Sequence, residues 1–228
     1  MGKGIFITAI GTDIGKTYVT GLLVKRLRDA KVNAGYYKAA LSGAERQPDG
    51  SLLPGDAAFV AKLAGISEEP QELVSYIYEK AVSPHLAALR EGNPLEMSKI
   101  ENDYQTALSK YDYLTMEGSG GIICPIRWDE TQHILLEDII KKLGLGVLVI
   151  SNAVLGSINN CVLTIAYLRQ KDIPVHGIIL NNYDADDFMQ IDNKHMMEQL
   201  TGVPVLACVP SNASEIDIDV NLLKSLYK

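Results

Sequence analysis

The feature that most restricts what this chain can fold into is the stretch from Ile5 to Thr20, IFITAIGTDIGKTYVT. A short apolar run (Ile5, Phe6, Ile7) stops at a loop holding Gly11 and Gly15, and Lys16 and Thr17 follow at once. Val19, Leu22, Leu23 and Leu27 then recur at helical spacing. Strand, glycine loop, Gly-Lys-Thr and helix, in that order, build a phosphate-binding loop. Backbone N–H groups of such a loop form an anion nest, and the helix N-terminus adds its partial positive charge. Lys16 is placed to reach the β and γ phosphates, and Thr17 to offer its hydroxyl to Mg²⁺. Glycine at 15 keeps a Cβ out of the way of the phosphates. The spacing departs from the usual motif, because the position of its first glycine falls on Ile10, flanked by Ala9 and Gly11.

A nucleotide site does not need a global field here. The net charge is −7, from 28 acidic against 21 basic residues, and no basic run exists. That argues against nucleic acid or an anionic membrane as partner. A hydrophobic share of 47% over 228 residues is enough for one large core and for a single domain spanning residues 1–228. Cys124, Cys161 and Cys208 are scattered without metal-ligand spacing and read as reduced core thiols. The chain enters its first strand without a signal-like leader, and no apolar stretch is long enough to cross a bilayer, so a cytoplasmic location is expected.

Along the chain, apolar runs and helical patterns alternate. Helices are expected near 17–30, 56–64, 98–110, 157–170, 187–200 and 220–227, with a short one opened by Ser83-Pro84, Ser83 as N-cap. Strands are expected at 34–40, 113–116, 146–151, 176–181 and 203–209, whereas the tyrosine-rich 74–79 is ambiguous. This rhythm predicts an α/β fold, a mostly parallel sheet with helices on both faces. Ligands of such sheets gather at the carboxyl ends of the strands. Polar residues stand there: Lys38 at the end of its strand with Ser42 beyond it, Asp56 after the next loop, and Glu117 before Gly118-Ser119-Gly120-Gly121. Asn181 and Asn182 end a later strand, and Pro210-Ser211-Asn212 follow the last one. Singly each has an ordinary reading, Lys38 as a solvated charge, Asp56 as a helix cap, the asparagines as turn formers. Jointly they suit a nucleotide. Thr17, Asp56 and Glu117 are hard oxygen ligands for Mg²⁺, and Lys16 and Lys38 balance charge on a moving phosphoryl group. A second lysine also suggests an anionic acceptor.

The loop GTDIGKT, Gly35-Tyr36-Tyr37-Lys38 with Ser42-Gly43, Ser83-Pro84-His85, Glu117-Gly118-Ser119-Gly120-Gly121 and Leu155-Gly156-Ser157-Ile158-Asn159 together resemble dethiobiotin synthetase, nearly end to end. The resemblance implies a phosphate-loop fold and ATP-dependent ring closure of 7,8-diaminononanoate with CO₂, through a carbamate and a carbamic-phosphoric anhydride. By match to the family motifs, Lys38 is the catalytic lysine beside Lys16, and Asp13, Ile14, Gly15, Lys16, Thr17 and Tyr18 wrap the phosphates. Asp56 and Glu117 join Thr17 around Mg²⁺, with Gly118, Ser119 and Gly120 beside them. Asn181 reads the adenine edge, Asn182, Pro210, Ser211 and Asn212 line the base pocket, and Glu215 is a looser candidate. Ser42, Ser83 and Pro84 face the substrate. Gly156, Ser157 and Asn159 present a helix N-terminus to its distal carboxylate from a partner subunit, which implies a homodimer. The chain departs from the family at Ala9, at Ile10-Gly11-Thr12 and at Ala39, where glycine, a Thr-Asp-Thr run and proline are usual. Ser119 replaces an alanine. Two alternatives are an amide-forming synthetase of the same superfamily, which carries an added amidotransferase domain, and a partitioning-type switch ATPase, which carries a second lysine where Gly11 stands.

Overall fold

Side chains alternate across a strand, so Ile5 and Ile7 of β1 (Lys3–Ala9) face one way and Phe6 the other. All three are fully buried. Burial on both faces is the signature of a parallel sheet covered by helices, and the computed structural model, which describes residues 2–228, shows that sheet. Its seven strands are β1, β2 (Ala34–Ser42), β5 (Val74–Tyr78), β6 (Tyr113–Glu117), β9 (Val147–Ser151), β10 (Val175–Asn181) and β11 (Val205–Val209). They run in the order β11-β10-β9-β1-β6-β2-β5, and every neighbouring pair is parallel. Helices α1 (Lys16–Asp29), α2 (Gly55–Ala64) and α8 (Val220–Ser225) bury Leu23, Val60 and Leu223 with Ile5 and Ile7. On the opposite face α3 (Pro84–Glu91), α4 (Met97–Lys110), α5 (Leu136–Leu143), α6 (Ser157–Gln170) and α7 (Phe188–Thr201) gather around Phe6. The expected α/β architecture is therefore present.

Several boundaries differ from the sequence reading, for local reasons. Strand β2 does not stop near Lys38 but runs to Ser42, because it pairs with β5 as far as Ser42↔Tyr78. The ambiguous 74–79 segment is that edge strand, its side chains alternately buried and half-buried. The polar loop after Ser42 carries a small hairpin, β3 (Glu45–Arg46) and β4 (Leu52–Leu53). A second hairpin, β7 (Pro125–Trp128) and β8 (His133–Leu135), leads into α5. The cap of α2 is Pro54, and Asp56 is the second residue of the helix. No helix among the described residues is long and apolar enough to cross a membrane.

The strand order places the site. From β1 the chain crosses over α1 to β2 on one side, whereas β9 and β10 extend the sheet on the other. The order reverses at β1, and the crevice beyond its carboxyl end is where open α/β sheets bind ligands.

Candidate active site

The loop leaving β1 turns tightly. Asp13 has φ 59° and Gly15 φ 85°, both left-handed, and Gly15 is the N-cap of α1. That region suits glycine, and here a Cβ is excluded twice over, because it would lie 2.1 Å from Asn181 Nδ2. Asn181, at the end of β10, donates to the Ile14 carbonyl at 2.9 Å, so it braces the loop from the neighbouring side. Its Oδ1 is buried without a partner among the described residues. No acidic residue occupies the first turn of α1, which leaves the helix N-terminus free for an anion. Lys16 and Thr17 open the helix and face a cavity of about 370 Å³.

Opposite them stand Lys38, Asp56 and Glu117. In the β2–β6 register Lys38 lies directly beside Glu117, the last residue of its strand. Lys38 Nζ donates to Glu117 Oε1 at 2.8 Å and to Asp56 Oδ2 at 2.5 Å. Thr17 Oγ1 donates to the same Glu117 Oε1 at 2.8 Å, which ties the loop's threonine to the lysine. Glu117 Oε2 accepts from the Tyr36 hydroxyl at 3.1 Å. Lys38, Glu117 and Tyr36 are all buried, whereas the Asp56 side chain keeps 40% of its exposure.

The electrostatics follow from that burial. Burial pulls the Lys38 pKa down, but Glu117 and Asp56 outweigh it and hold the amine above the ordinary lysine value. Burial raises the Asp56 carboxyl, and Lys38 overrides it, leaving the group below the usual carboxylate value. Burial lowers Lys16, only partly opposed by Glu117. Tyr36 is pushed well up by burial first and Glu117 second, so it stays a protonated donor. Two cations and two carboxylates thus share one small space. Two carboxylates and a hydroxyl converging beside a phosphate loop fit a divalent cation that takes its other ligands from water and phosphate, as Mg²⁺ does. No group of three His, Cys, Asp or Glu able to hold a metal unaided occurs among the described residues.

Other expected residues divide. Asp13, Gly15, Ser42, Ser119 and Gly120 line the same cavity as the lysines, joined by Thr12 and Leu41, which the sequence reading did not single out. Gly118 is in the framework: its N–H donates to Ile7 O at 2.9 Å, and a Cβ would strike the Phe6 ring at 2.8 Å. Ser119 Oγ donates to Ala40 O at 2.8 Å. Asn182, Pro210 and Ser211 border a separate cavity of about 440 Å³ with Tyr183 and Cys208, and Ser211 Oγ lies 3.2 Å from Asn182 Oδ1. Exposed Asn212 has φ 60°. Tyr18 donates its hydroxyl to Ala213 O, linking α1 to this second region. Ser83 caps α3 without a side-chain bond, with Pro84 in the first turn, and neither lines the phosphate cavity. Nor do Gly156, Ser157 and Asn159. The cap of α6 is Gly156 rather than Ser157, whose buried hydroxyl donates to Val154 O at 2.6 Å. Within this chain, then, the α6 terminus and the lysines do not share a cavity.

A family described as an AAA domain matches residues 3–216. The ATP-dependent dethiobiotin synthetase BioD of Clostridium botulinum strain Langeland is 48% identical over 228 residues, covering 100% of this chain and 99% of that protein. The same enzyme of strain Eklund 17B is 49% identical over 227 residues with the same coverage. This chain belongs to the dethiobiotin synthetase family. Among solved structures, a ParA family ATPase of Chlorobium tepidum superposes with a TM-score of 0.58 at 12% identity, covering 93% of this chain and 86% of that one. The septum site-determining protein MinD of Pyrococcus horikoshii, complexed with Mg-ADP, gives 0.55 at 16% identity, covering 92% and 82%. At such identities these neighbours share the fold alone. Membership in the dethiobiotin synthetase family agrees with the absence of a lysine at Gly11, where a switch ATPase would carry its second one.

Proposed function

We propose that this chain closes the ureido ring of dethiobiotin from 7,8-diaminononanoate, CO₂ and ATP, as a cytoplasmic enzyme. The observation that carries the reading is Lys38. It is a buried amine, paired with Glu117 and Asp56, that faces Lys16 and Thr17 across a phosphate-sized cavity. One amine of the substrate takes up CO₂ as a carbamate and releases a proton. A carbamate oxygen then attacks the γ-phosphorus of ATP, the bond to ADP breaks, and a carbamic-phosphoric anhydride results. The second amine attacks the carbamoyl carbon, the C–O bond to phosphate breaks, and the cyclic urea and inorganic phosphate are released.

The residues divide that work. Lys38 holds carbamate and transferring phosphoryl oxygens together, and Lys16 with the loop N–H groups stabilises the charge on the phosphates. Thr17, Asp56 and Glu117 hold Mg²⁺, which supplies charge neutralisation and orientation of the phosphates. Asp13, Ile14, Gly15 and Tyr18 enclose the phosphates with Gly118, Ser119 and Gly120 beside them, and Ser42, Ser83 and Pro84 lie toward the diamine. Asn181 and Asn182 with Pro210, Ser211 and Asn212 take the base; the unpartnered Asn181 Oδ1 supports that assignment. Gly156, Ser157 and Asn159 serve the neighbouring subunit of a homodimer. Exposed Leu155, Phe188 and Ile191 near that helix support an interface; a monomer mass by sedimentation at assay concentration would reject it.

The test mixes the protein with ATP, Mg²⁺, bicarbonate and diaminononanoate and follows ADP. Release that depends on both diamine and carbon source is expected; release indifferent to either refutes the assignment. In the same assay Lys38→Ala should show almost no turnover while still binding nucleotide.

A further inference from the structure

We infer that Tyr36 is a positioning residue that holds the Glu117 carboxylate as a one-oxygen ligand and thereby favours Mg²⁺ over larger divalent ions. The inference rests on Glu117 being a metal ligand, as proposed above.

Tyr36 precedes Lys38 by two positions on β2, so both side chains leave the same face of the sheet. Lys38 is in register with Glu117, and Tyr36 with Thr115 just below it, which brings the tyrosine hydroxyl under the carboxylate. The ring is fully buried in the core against α1 and α2. The two oxygens of Glu117 have different surroundings. Oε1 faces the phosphate loop and accepts from Lys38 and Thr17, both at 2.8 Å. Oε2 turns to the protein interior and accepts from Tyr36 at 3.1 Å. A carboxylate free to rotate about its last bond presents either oxygen, or both, to a cation. Pinned at Oε2, Glu117 presents Oε1 alone.

That difference matters because Mg²⁺ demands near-octahedral geometry with short bonds to single oxygens, whereas Ca²⁺ accepts both oxygens of one carboxylate. A hydrogen bond to the oxygen that does not ligate is the usual outer-shell device for fixing a ligand, and losing one typically lowers metal affinity 10- to 100-fold. Tyr37, the next residue, provides a matched control. Its hydroxyl is also buried and bonded, lying 2.6 Å from Ser75 Oγ, but on the opposite face and away from the carboxylates.

The experiment compares Tyr36→Phe, Tyr37→Phe and Glu117→Gln with wild type by calorimetric titration of Mg²⁺ and of Ca²⁺ into the ADP-bound protein, alongside thermal melts. Tyr36→Phe should weaken Mg²⁺ about 10-fold or more and Ca²⁺ less, while Tyr37→Phe leaves both unchanged. In turnover, Tyr36→Phe should raise the KM for Mg²⁺ and recover kcat when Mg²⁺ saturates. Unchanged Mg²⁺ affinity in Tyr36→Phe, with Glu117→Gln severely weakened, overturns the role of Tyr36 and leaves the metal assignment standing. Unchanged affinity in Glu117→Gln overturns the assignment itself. Should Tyr36→Phe melt too early to titrate, infrared difference spectra of the wild type on adding Mg²⁺ to the ADP complex decide the point. A widely split pair of carboxylate bands that vanishes in Glu117→Gln marks one-oxygen ligation, and a narrowly split pair overturns the inference.

Discussion

Replacing Lys38 with methionine keeps most of the side-chain volume and removes the charge, so it isolates what the amine does for the fold. Glu117 is 1% exposed, and among the described residues Lys38 is its only cationic hydrogen-bond partner. Breaking a buried ion pair by removing one member costs about 3–5 kcal/mol, because the other is left charged and dry. Thr17 and Tyr36 still donate to Glu117, so the lower end, about 3 kcal/mol, is expected. Asp56 adds little to that sum, since its side chain is 40% exposed and rehydrates. Removing the stranded charge as well should restore most of the loss: Lys38→Met with Glu117→Gln is expected within about 1.5 kcal/mol of wild type, as neutral replacements of buried pairs commonly are. Urea unfolding followed by circular dichroism, without nucleotide, reads both. With a slope of about 2–3 kcal/mol per molar, the single variant should lose about 1–1.5 M in midpoint. A single variant within about 1 kcal/mol of wild type, or a double variant no better than the single, would refute the view that Lys38 is the counter-charge of Glu117.

The remaining predictions concern charge, backbone and thiols. Lys38 sits above the ordinary lysine value, where burial is outweighed by Glu117 and Asp56, so its contribution is whole below about pH 10.4 and is lost as pH rises beyond it. The melting temperature should therefore fall more steeply above about pH 10.4 in wild type than in Lys38→Met, and parallel curves would contradict this. Gly15→Ala forces a side chain into left-handed backbone at a cost of about 1–2 kcal/mol and drives it against Asn181. Nucleotide affinity by calorimetry should drop at least about tenfold, and an alanine variant that binds normally would show that the loop is not held as described. Burial pushes the Cys124 thiol up to about 11 despite the nearby lysines, so alkylation at pH 8 should be slow until urea unfolds the chain. Rapid labelling of the native protein at Cys124, located by peptide mapping, would oppose that.

What the sequence disclosed was governed by how local each signal is. The strand, loop and helix of residues 3–29 are contiguous, and their pattern is self-contained. Lys38, Asp56 and Glu117 were legible as polar residues after apolar runs, and the structure brings all three together. Tyr36 was invisible because a tyrosine in an apolar strand reads as core, and only the register with β6 shows what its hydroxyl meets. Counting back two from Lys38 to the same face is the signal that finds it. The Asn181 bond to Ile14 joins positions far apart in the chain and has no local trace. Residues 125–143 carry only a weak local signal: Leu136, Ile139 and Ile140 repeat at helical spacing, but a single short helix following a hairpin offers few periods to count.

The two carboxylates that hold Lys38 are not equivalent, and their solvation decides which one the amine can leave. Of the three N–H donors of Lys38, two are spent on Glu117 and Asp56 and one is free, so holding a carbamate and a phosphoryl oxygen together, as proposed above, requires one of those two bonds to open. Leaving Glu117 would strand a carboxylate in a place water does not reach, whereas Asp56 lies at the rim of the cavity with 40% of its side chain exposed. Asp56 is therefore the partner that yields, and Glu117 the one that stays. The asymmetry has a measurable counterpart. Asp56→Asn should change the unfolding free energy by less than about 1 kcal/mol, as a partly exposed pair does, whereas Glu117→Gln should cost about 2 kcal/mol or more from its disturbed bonds to Lys38, Thr17 and Tyr36. Urea midpoints of the two variants at one pH make the comparison. Equal losses, or a larger one for Asp56→Asn, would reverse the order in which Lys38 exchanges its partners.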